Sequence, residues 1–240
     1  LFRSPFEWWA TTFKSAIKDF GRVVMVLSPW NNPIPFTRAW CLFEVYSAVI
    51  TESDFEVAMC DSERQAFLEQ IRSDNTVFLK MLAAIDVKKS EAWNKDDLLR
   101  IKDVVEKEVG FQQVNMMVKG KMRDWVDATL KASVEQTKGG MLNEEDIDQK
   151  MSYASNLDAT GRYEEALKLY QECLKEYTEL EGATSLNVAN TYNNMASVYK
   201  NQGIYAKALE YYEKALAIWL EALGANHPDV ASSYNNMAIV

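Results

Sequence analysis

Histidine is nearly absent: the 240-residue chain has one, His227. A histidine-based catalytic triad and a multi-histidine metal site are therefore excluded for most of the chain. Cysteine is scarce too. Cys41, Cys60 and Cys173 are far apart and form no CxxC pair. An odd, sparse set of this kind argues against a disulfide framework or a zinc site, and predicts a reducing, cytoplasmic setting. No metal and no cofactor is implied. Long apolar runs are missing: the longest near the start is Val23–Leu27, far short of the roughly 18 residues of a membrane span. The first five residues, Leu1 to Pro5, lack the basic-then-apolar order of a signal peptide. No G-x-x-x-x-G-K-[ST] loop occurs, which excludes a P-loop nucleotide site. Positive charge is short, with 26 Lys and Arg against 35 Asp and Glu. Without a basic face, neither a nucleic acid nor a membrane surface is an expected partner.

What is present is an ordinary globular composition. Hydrophobic residues make up 48% and charged residues 25%, so disorder is not the dominant state. The length suits one large domain or two smaller ones. The net charge of −9 is unevenly placed. Residues 1–140 carry 19 basic and 20 acidic side chains, while residues 141–240 carry 7 and 15.

The acidic half contains a repeat. Gly161-Arg-Tyr163-Glu-Glu-Ala166-Leu167 recurs as Gly203-Ile-Tyr205-Ala-Lys-Ala208-Leu209, 42 residues on. Tyr192-Asn193-Asn194-Met195-Ala196 recurs at the same offset as Tyr234-Asn235-Asn236-Met237-Ala238. Residues 161–198 and 203–240 share 17 identities in 38 positions. Each unit reads as two helices. Val188, Tyr192, Met195, Ala196 and Tyr199 recur at three and four, one apolar stripe; Gly203 breaks that helix; Tyr205, Ala208, Leu209, Tyr212 and Leu216 form the next stripe. Ala166, Ala196 and Ala208 are small where two helix backbones must approach closely. His227-Pro228-Asp229 reads as a helix start, with proline in the first turn and an acid at the positive end.

These residues resemble tetratricopeptide repeats (TPR) of the kinesin light chain type over about 146–240. The features are G-x-Y-x-x-A-L, A-L-G-A-N-H-P-D-V-A, Y-N-N-M-A and a period of 42, longer than the usual 34 of the class. The resemblance implies an all-α solenoid of helical hairpins whose first helices line a concave groove for peptides or partner proteins. Carried over position by position, it places Asn190, Asn193, Asn194, Ser197, Lys200 and Asn201 in that groove, then Ser232, Asn235 and Asn236. The first unit departs, with Met151, Ser152 and Ser155 there. Asparagine suits the task because it offers both a donor and an acceptor to a peptide backbone. The competing reading is that these amides are simply the solvated side of an amphipathic helix. The chain reaches Val240 inside the first helix of a third unit, which reads as part of a longer array.

The first half is expected to be α/β. Phe13, Ile17 and Phe20 share a helical face ended by Gly21; Arg22 to Ser28 is a strand of the kind buried in a parallel sheet. Three prolines from Pro29 to Pro35 predict an irregular, stiff loop. Thr37 is the expected cap of a helix through Trp40, Phe43, Glu44 and Ala48; Phe55–Cys60 reads as a second strand; Asp61 or Ser62 starts a helix carrying Phe67, Leu68 and Ile71. The alternation predicts a parallel sheet with crossovers, and two strands are few for one, so further strands are expected before Leu1.

V-V-M-V-L-S-P-W followed by R-A-W-C-L-F-E-V resembles the middle of a Toll/interleukin-1 receptor (TIR) domain over about 13–60, with Trp40, Cys41 and Glu44 matching its W-C-x-x-E start. In TIR-type enzymes that cleave NAD, the glutamate of this motif is catalytic, and the resemblance would give that role to Glu44. A carboxylate can stabilise a cationic ribosyl transition state. The other reading of Glu44 is a helix-surface side chain. Cys41, flanked by apolar residues and lacking a histidine, reads as a core cysteine.

Between the halves the pattern turns helical. Ile85-Asp86-Val87 reads as one last short strand. Asp96 or Asp97 caps Leu98 to Val105, with Gly110 as the stop; a further helix carries Val114, Met117, Val118, Met122, Trp125, Val126 and Leu130; Gly139-Gly140 is the hinge. The expected layout is a partial α/β TIR-like module at 1–87, a helical connector at 88–140 and the TPR array at 141–240. The expected function is a protein–protein interaction scaffold. Its rival is a TIR-type NAD hydrolase or signalling protein regulated by the array. Self-association is left open.

Overall fold

A computed structural model describes residues 6–74, 76–136 and 143–239. The chain is mostly helical and divides into two compact units, Leu1–Val126 and Asp127–Val240. The segment 88–140 is thus shared between the units. The Gly139-Gly140 hinge lies outside the described residues.

The first unit begins with α1 (Phe6–Phe20), which Gly21 ends at φ 69°. Strand β1 (Arg22–Val26) follows, then a 3-10 turn at Ile34–Thr37, α2 (Ala39–Ile50) and β2 (Asp54–Ala58). The two strands pair in parallel, Arg22 opposite Asp54 through Val26 opposite Ala58. Helices α3 (Asp61–Ser73), α4 (Thr76–Ala83) and α5 (Lys95–Glu108) complete the set, with α6 (Phe111–Gln136) running on through Val126. Helix α2 is the centre of this unit: Leu42, Phe43, Val45, Tyr46 and Ala48 are all buried. Its burial follows from its composition, since it carries one charged residue in twelve and must be covered on most sides. Lys14 of α1 lies over the Phe43 and Tyr46 rings and pairs with Glu108, which also accepts from the Tyr46 hydroxyl at 3.0 Å. That network ties α1, α2 and α5 together.

Several elements differ from what the sequence predicts. The proline-rich segment is partly regular: Pro33 precedes the 3-10 turn, and the Trp30 amide donates to Glu63 Oε2 at 3.0 Å. Trp30 is buried edge-on against Phe67, whose ring also meets Trp125. Thr37 does not cap α2. Its hydroxyl donates to the Ile34 carbonyl, and Arg38 precedes the helix without a side-chain cap. The strand expected at Ile85–Val87 is a turn in which Ile85 and Val87 are buried; three apolar-edged residues do not distinguish a strand from a packed turn. Helix α4 was not expected, and α5 is capped by Asn94, whose side chain accepts from the Asp96 amide, rather than by Asp96 or Asp97. Strand β1 is buried on one face only: Met25 is inside, whereas Val24 and Val26 are 50% and 61% exposed. Phe20 likewise leaves the face it was expected to share with Ile17 and is exposed.

The second unit consists of the C-terminal part of α6, then α7 (Glu144–Ala159), α8 (Tyr163–Glu181), α9 (Leu186–Asn201), α10 (Tyr205–Leu223) and α11 (Pro228–Ala238). The repeat is visible in its joints. After α7 the Gly161 amide bonds the Asp158 carbonyl and Arg162 the Leu157 carbonyl; after α9, Gly203 bonds Lys200 and Ile204 bonds Tyr199. Both glycines have φ near 80°, a conformation a side chain resists. The other joints also match: Ser185 and His227 accept from the amides of Val188 and Asp229 to start α9 and α11. Helices α9 and α10 pack through Ala196, Tyr199, Ala208 and Tyr212, with both alanines fully buried. A larger side chain at either alanine overpacks this contact, at a cost of about 1–3 kcal/mol. The first hairpin packs through Ile147, Cys173 and Tyr177, closed by Val188 of the next helix. Burial in this apolar site pushes the Cys173 thiol up to about 12, so it is an inert core residue.

Candidate functional site

The first helix of each hairpin, α7, α9 and α11, keeps one polar side at the surface. In α9 the buried set is Val188, Ala189, Thr191, Met195, Ala196, Val198 and Tyr199. The periodicity of a helix then leaves Asn187, Asn190, Asn194, Ser197 and Asn201 on the opposite stripe. Asn190 and Asn201 are exposed, and Asn193, Asn194, Ser197 and Lys200 are half-exposed. On α11, Asn235 is exposed, as is Ser232, and Asn236 is half-exposed. None of the nine side chains singled out in the sequence lies in the packed core.

The structure joins some of these residues and separates others. Asn236 Nδ2 donates to Asn193 Oδ1 at 3.4 Å, linking α11 to α9. Asn201 Nδ2 donates to Asp158 Oδ1 at 3.1 Å, linking α9 to α7. Asn187 Nδ2 reaches Glu144 Oε1 at 3.3 Å. All three bonds connect residues 43 apart, so successive first helices are tied at one common stagger. Ser197 differs from its neighbours. It faces Tyr212 of α10, whose hydroxyl it helps to ionise against the larger effect of burial, as Ser155 does for Tyr170 of α8. Asn190 and Asn235 are exposed, and Asn194 is half-exposed.

Three participants were not foreseen: Glu144, Asp158 and Asn187. Asn187 precedes the asparagine motif by a turn and a half, and no residue pattern marks it. Asp158 occupies the position matching Lys200, so the repeat changes sign there. Burial pushes the Asp158 carboxyl above the usual carboxylate range, against the opposing pull of Asn201 and Lys200. On α7, Asp148 is engaged by the Tyr177 hydroxyl, and Lys150 pairs with Glu176 at 2.5 Å. The α7 end of the stripe is therefore acidic and largely self-satisfied, whereas the α9 and α11 end is amide-rich with one cation, Lys200.

Glu44 lies in the other unit, on α2, where it is half-buried. Burial raises its carboxyl, and Glu44 in turn helps raise the Cys41 thiol, behind burial as the larger cause. Two surface pockets among the described residues are lined by Lys88 with residues from Val109 to Met116, and by Gly161 to Glu165 with Gln202; Glu44 lines neither. No group of three or more His, Cys, Asp or Glu among the described residues is placed to hold a metal ion, and no described helix is long and apolar enough to cross a membrane.

Comparison with known proteins agrees with the repeat geometry. The family model described as tetratricopeptide repeat matches residues 150–203 and 187–240. No curated protein matches the chain. A solved structure titled "Crystal structure of BtubC (BKLC) from P. vanneervenii" is similar at 18% identity, over 96% of this chain and 79% of that one, with a TM-score of 0.42, too low to carry an argument. These matches do not carry the TIR resemblance of the first half or the kinesin light chain subtype of the second. The tetratricopeptide-repeat match runs from within α7 through α11, the same helices whose joints repeat.

Proposed function

We propose that the chain is an interaction scaffold whose polar stripe on α7, α9 and α11 holds an extended segment of a partner protein. The observation that carries this reading is the recurrence of surface amides at one helical position, Asn194 on α9 and Asn236 on α11, 42 residues apart. A side chain that both donates and accepts matches a peptide backbone, which presents one donor and one acceptor per residue. Asn190, Asn193, Asn194, Ser232, Asn235 and Asn236 would make the contacts, with Lys200 and Asn201 at the edge. Ser197 would contribute least, because it lies next to Tyr212 of its own hairpin. The kinesin light chain subtype, with its concave groove, is the finer form of the same reading and rests on the quoted motifs.

The test is capture of a partner by the full chain and by an Asn194→Ala/Asn236→Ala double variant with unchanged helical content. Loss of at least about tenfold in affinity is expected, two lost polar contacts of about 1 kcal/mol or more each. Equal recovery of the same partner would remove the amides from the site. The TIR-type alternative keeps a single support in the structure, the half-buried Glu44 with its raised carboxyl in a unit that holds a pair of parallel strands.

A further inference from the structure

We propose that the last ten residues of α6, Asp127 to Gln136, are an intramolecular cap that closes the α7–α8 end of the repeat array in the position of a preceding second helix. The matched repeat model begins at residue 150, so α6 lies outside it. Even so, α6 from Asp127 onward belongs to the same compact unit as the repeats. Three kinds of observation place it.

The first is burial. Leu130 and Val134 are 4% and 5% exposed, although each is flanked by exposed positions such as Ala128, Lys131 and Glu135. One narrow apolar stripe is covered and the rest of the helix faces water. The second is spacing. Leu130 and Val134 precede Cys173 and Tyr177, the buried pair of α8, by one residue more than the repeat period, and the strictly periodic positions, Lys131 and Glu135, are exposed. They stand four apart, as Cys173 and Tyr177 do, and as Ala215 and Trp219 do in α10. The apolar pair that each second helix uses to hold its hairpin therefore has a counterpart on α6, without the Gly-x-Tyr-x-x-Ala-Leu motif that announces the true repeats. The third is polar pairing. Arg162, at the start of α8, places Nη1 2.7 Å from Asp127 Oδ2 while gripping Glu165 through Nε and Nη2 at 2.7 and 2.6 Å. Ser133 Oγ donates to Gln149 Oε1 of α7 at 2.9 Å. One contact therefore reaches α8 and the other α7, which is what a helix seated across the end of the hairpin produces.

A stack of hairpins exposes an apolar flank at each end unless a terminal element covers it. In this chain the α7 end is served from within. A helix seated there covers the apolar flank of α7 and α8, and the polar stripe starts at α7.

Hydrogen–deuterium exchange on the full chain tests the cap. Leu130→Asp buries a charge under the stripe and is expected to speed exchange in α7 and α8 by at least about tenfold while α10 and α11 change little. Asp127→Asn, a milder change that keeps the helix, is expected to move the same segments by a smaller factor. If α7 and α8 keep their protection in both variants, or if α10 and α11 lose it equally in both, α6 is not a local cap and the proposal is overturned. Should Leu130→Asp fail to fold, the segmental pattern in Asp127→Asn decides alone.

Discussion

Asn194 and Asp158 show how one helical side can carry two chemistries. Both are half-buried, but the Asn194 side chain is a neutral amide, whereas Asp158 is a carboxyl tied to Asn201. Because burial raises the Asp158 carboxyl in the folded state, ionisation there opposes folding. Its penalty is complete above the folded-state pKa and fades as pH falls toward the unfolded value. Asp158→Asn keeps an oxygen for the Asn201 donor and is expected to raise the melting temperature at pH 7, with the gain shrinking as the pH is lowered into the carboxylate range. Thermal melts of both proteins at pH 4 to 7 check the sign; a gain that grows on acidification contradicts it. The surface placement of the asparagines is legible in the sequence because a 3.6-residue period sorts buried from solvent-facing positions. The bonds from Asn187 and Asn201 to α7 are not, because they join residues 43 apart through a stagger that only packing reveals.

At the scale of elements, the joints of the array follow from the glycine repeat. Gly203 holds φ 75°, and its amide and that of Ile204 close the end of α9. Gly203→Ala is expected to destabilise the chain by about 1–2 kcal/mol, the cost of a Cβ in the left-handed region, although nothing would collide with the added carbon. A lower denaturant midpoint at constant slope is the readout. Gly120 gives the opposite case. It sits inside α6 without a positive φ, and a methyl group there would meet open space. Gly120→Ala is expected to stabilise by about 0.5–1 kcal/mol through lost unfolded-state freedom, seen as a rise in the same midpoint. The sequence places β1, β2, α2, α3 and α5 within a few residues, since each carries a strong apolar pattern or a glycine stop. It does not announce α4, which is only eight residues long, and it suggests a strand where Ile85 and Val87 are buried in a turn, because short apolar segments look alike whichever backbone carries them. The cap of α2 is misread for a related reason: Thr37 spends its hydroxyl on the preceding turn.

For the whole molecule, the first unit raises the question of catalysis. Under the scaffold reading, the full chain incubated with NAD is expected to release no nicotinamide above a protein-free control; Glu44 itself is half-buried on α2. Release that disappears in Glu44→Gln would give the TIR-type reading precedence over the scaffold. The two-unit division is only partly legible, because the helical pattern of residues 88–136 has no composition break at Val126 to mark where one core hands over to the next. The bare side of the strand pair has a practical bearing on handling. Val24 and Val26 face water on a strand whose outer edge has no hydrogen-bonded neighbour strand among the described residues, and such an edge is a template for adhesion between copies. Concentrated stocks should turn turbid on storage by way of this segment. A single lysine at Val26 should keep them clear for longer by light scattering, at a cost to folding stability of no more than about 1 kcal/mol.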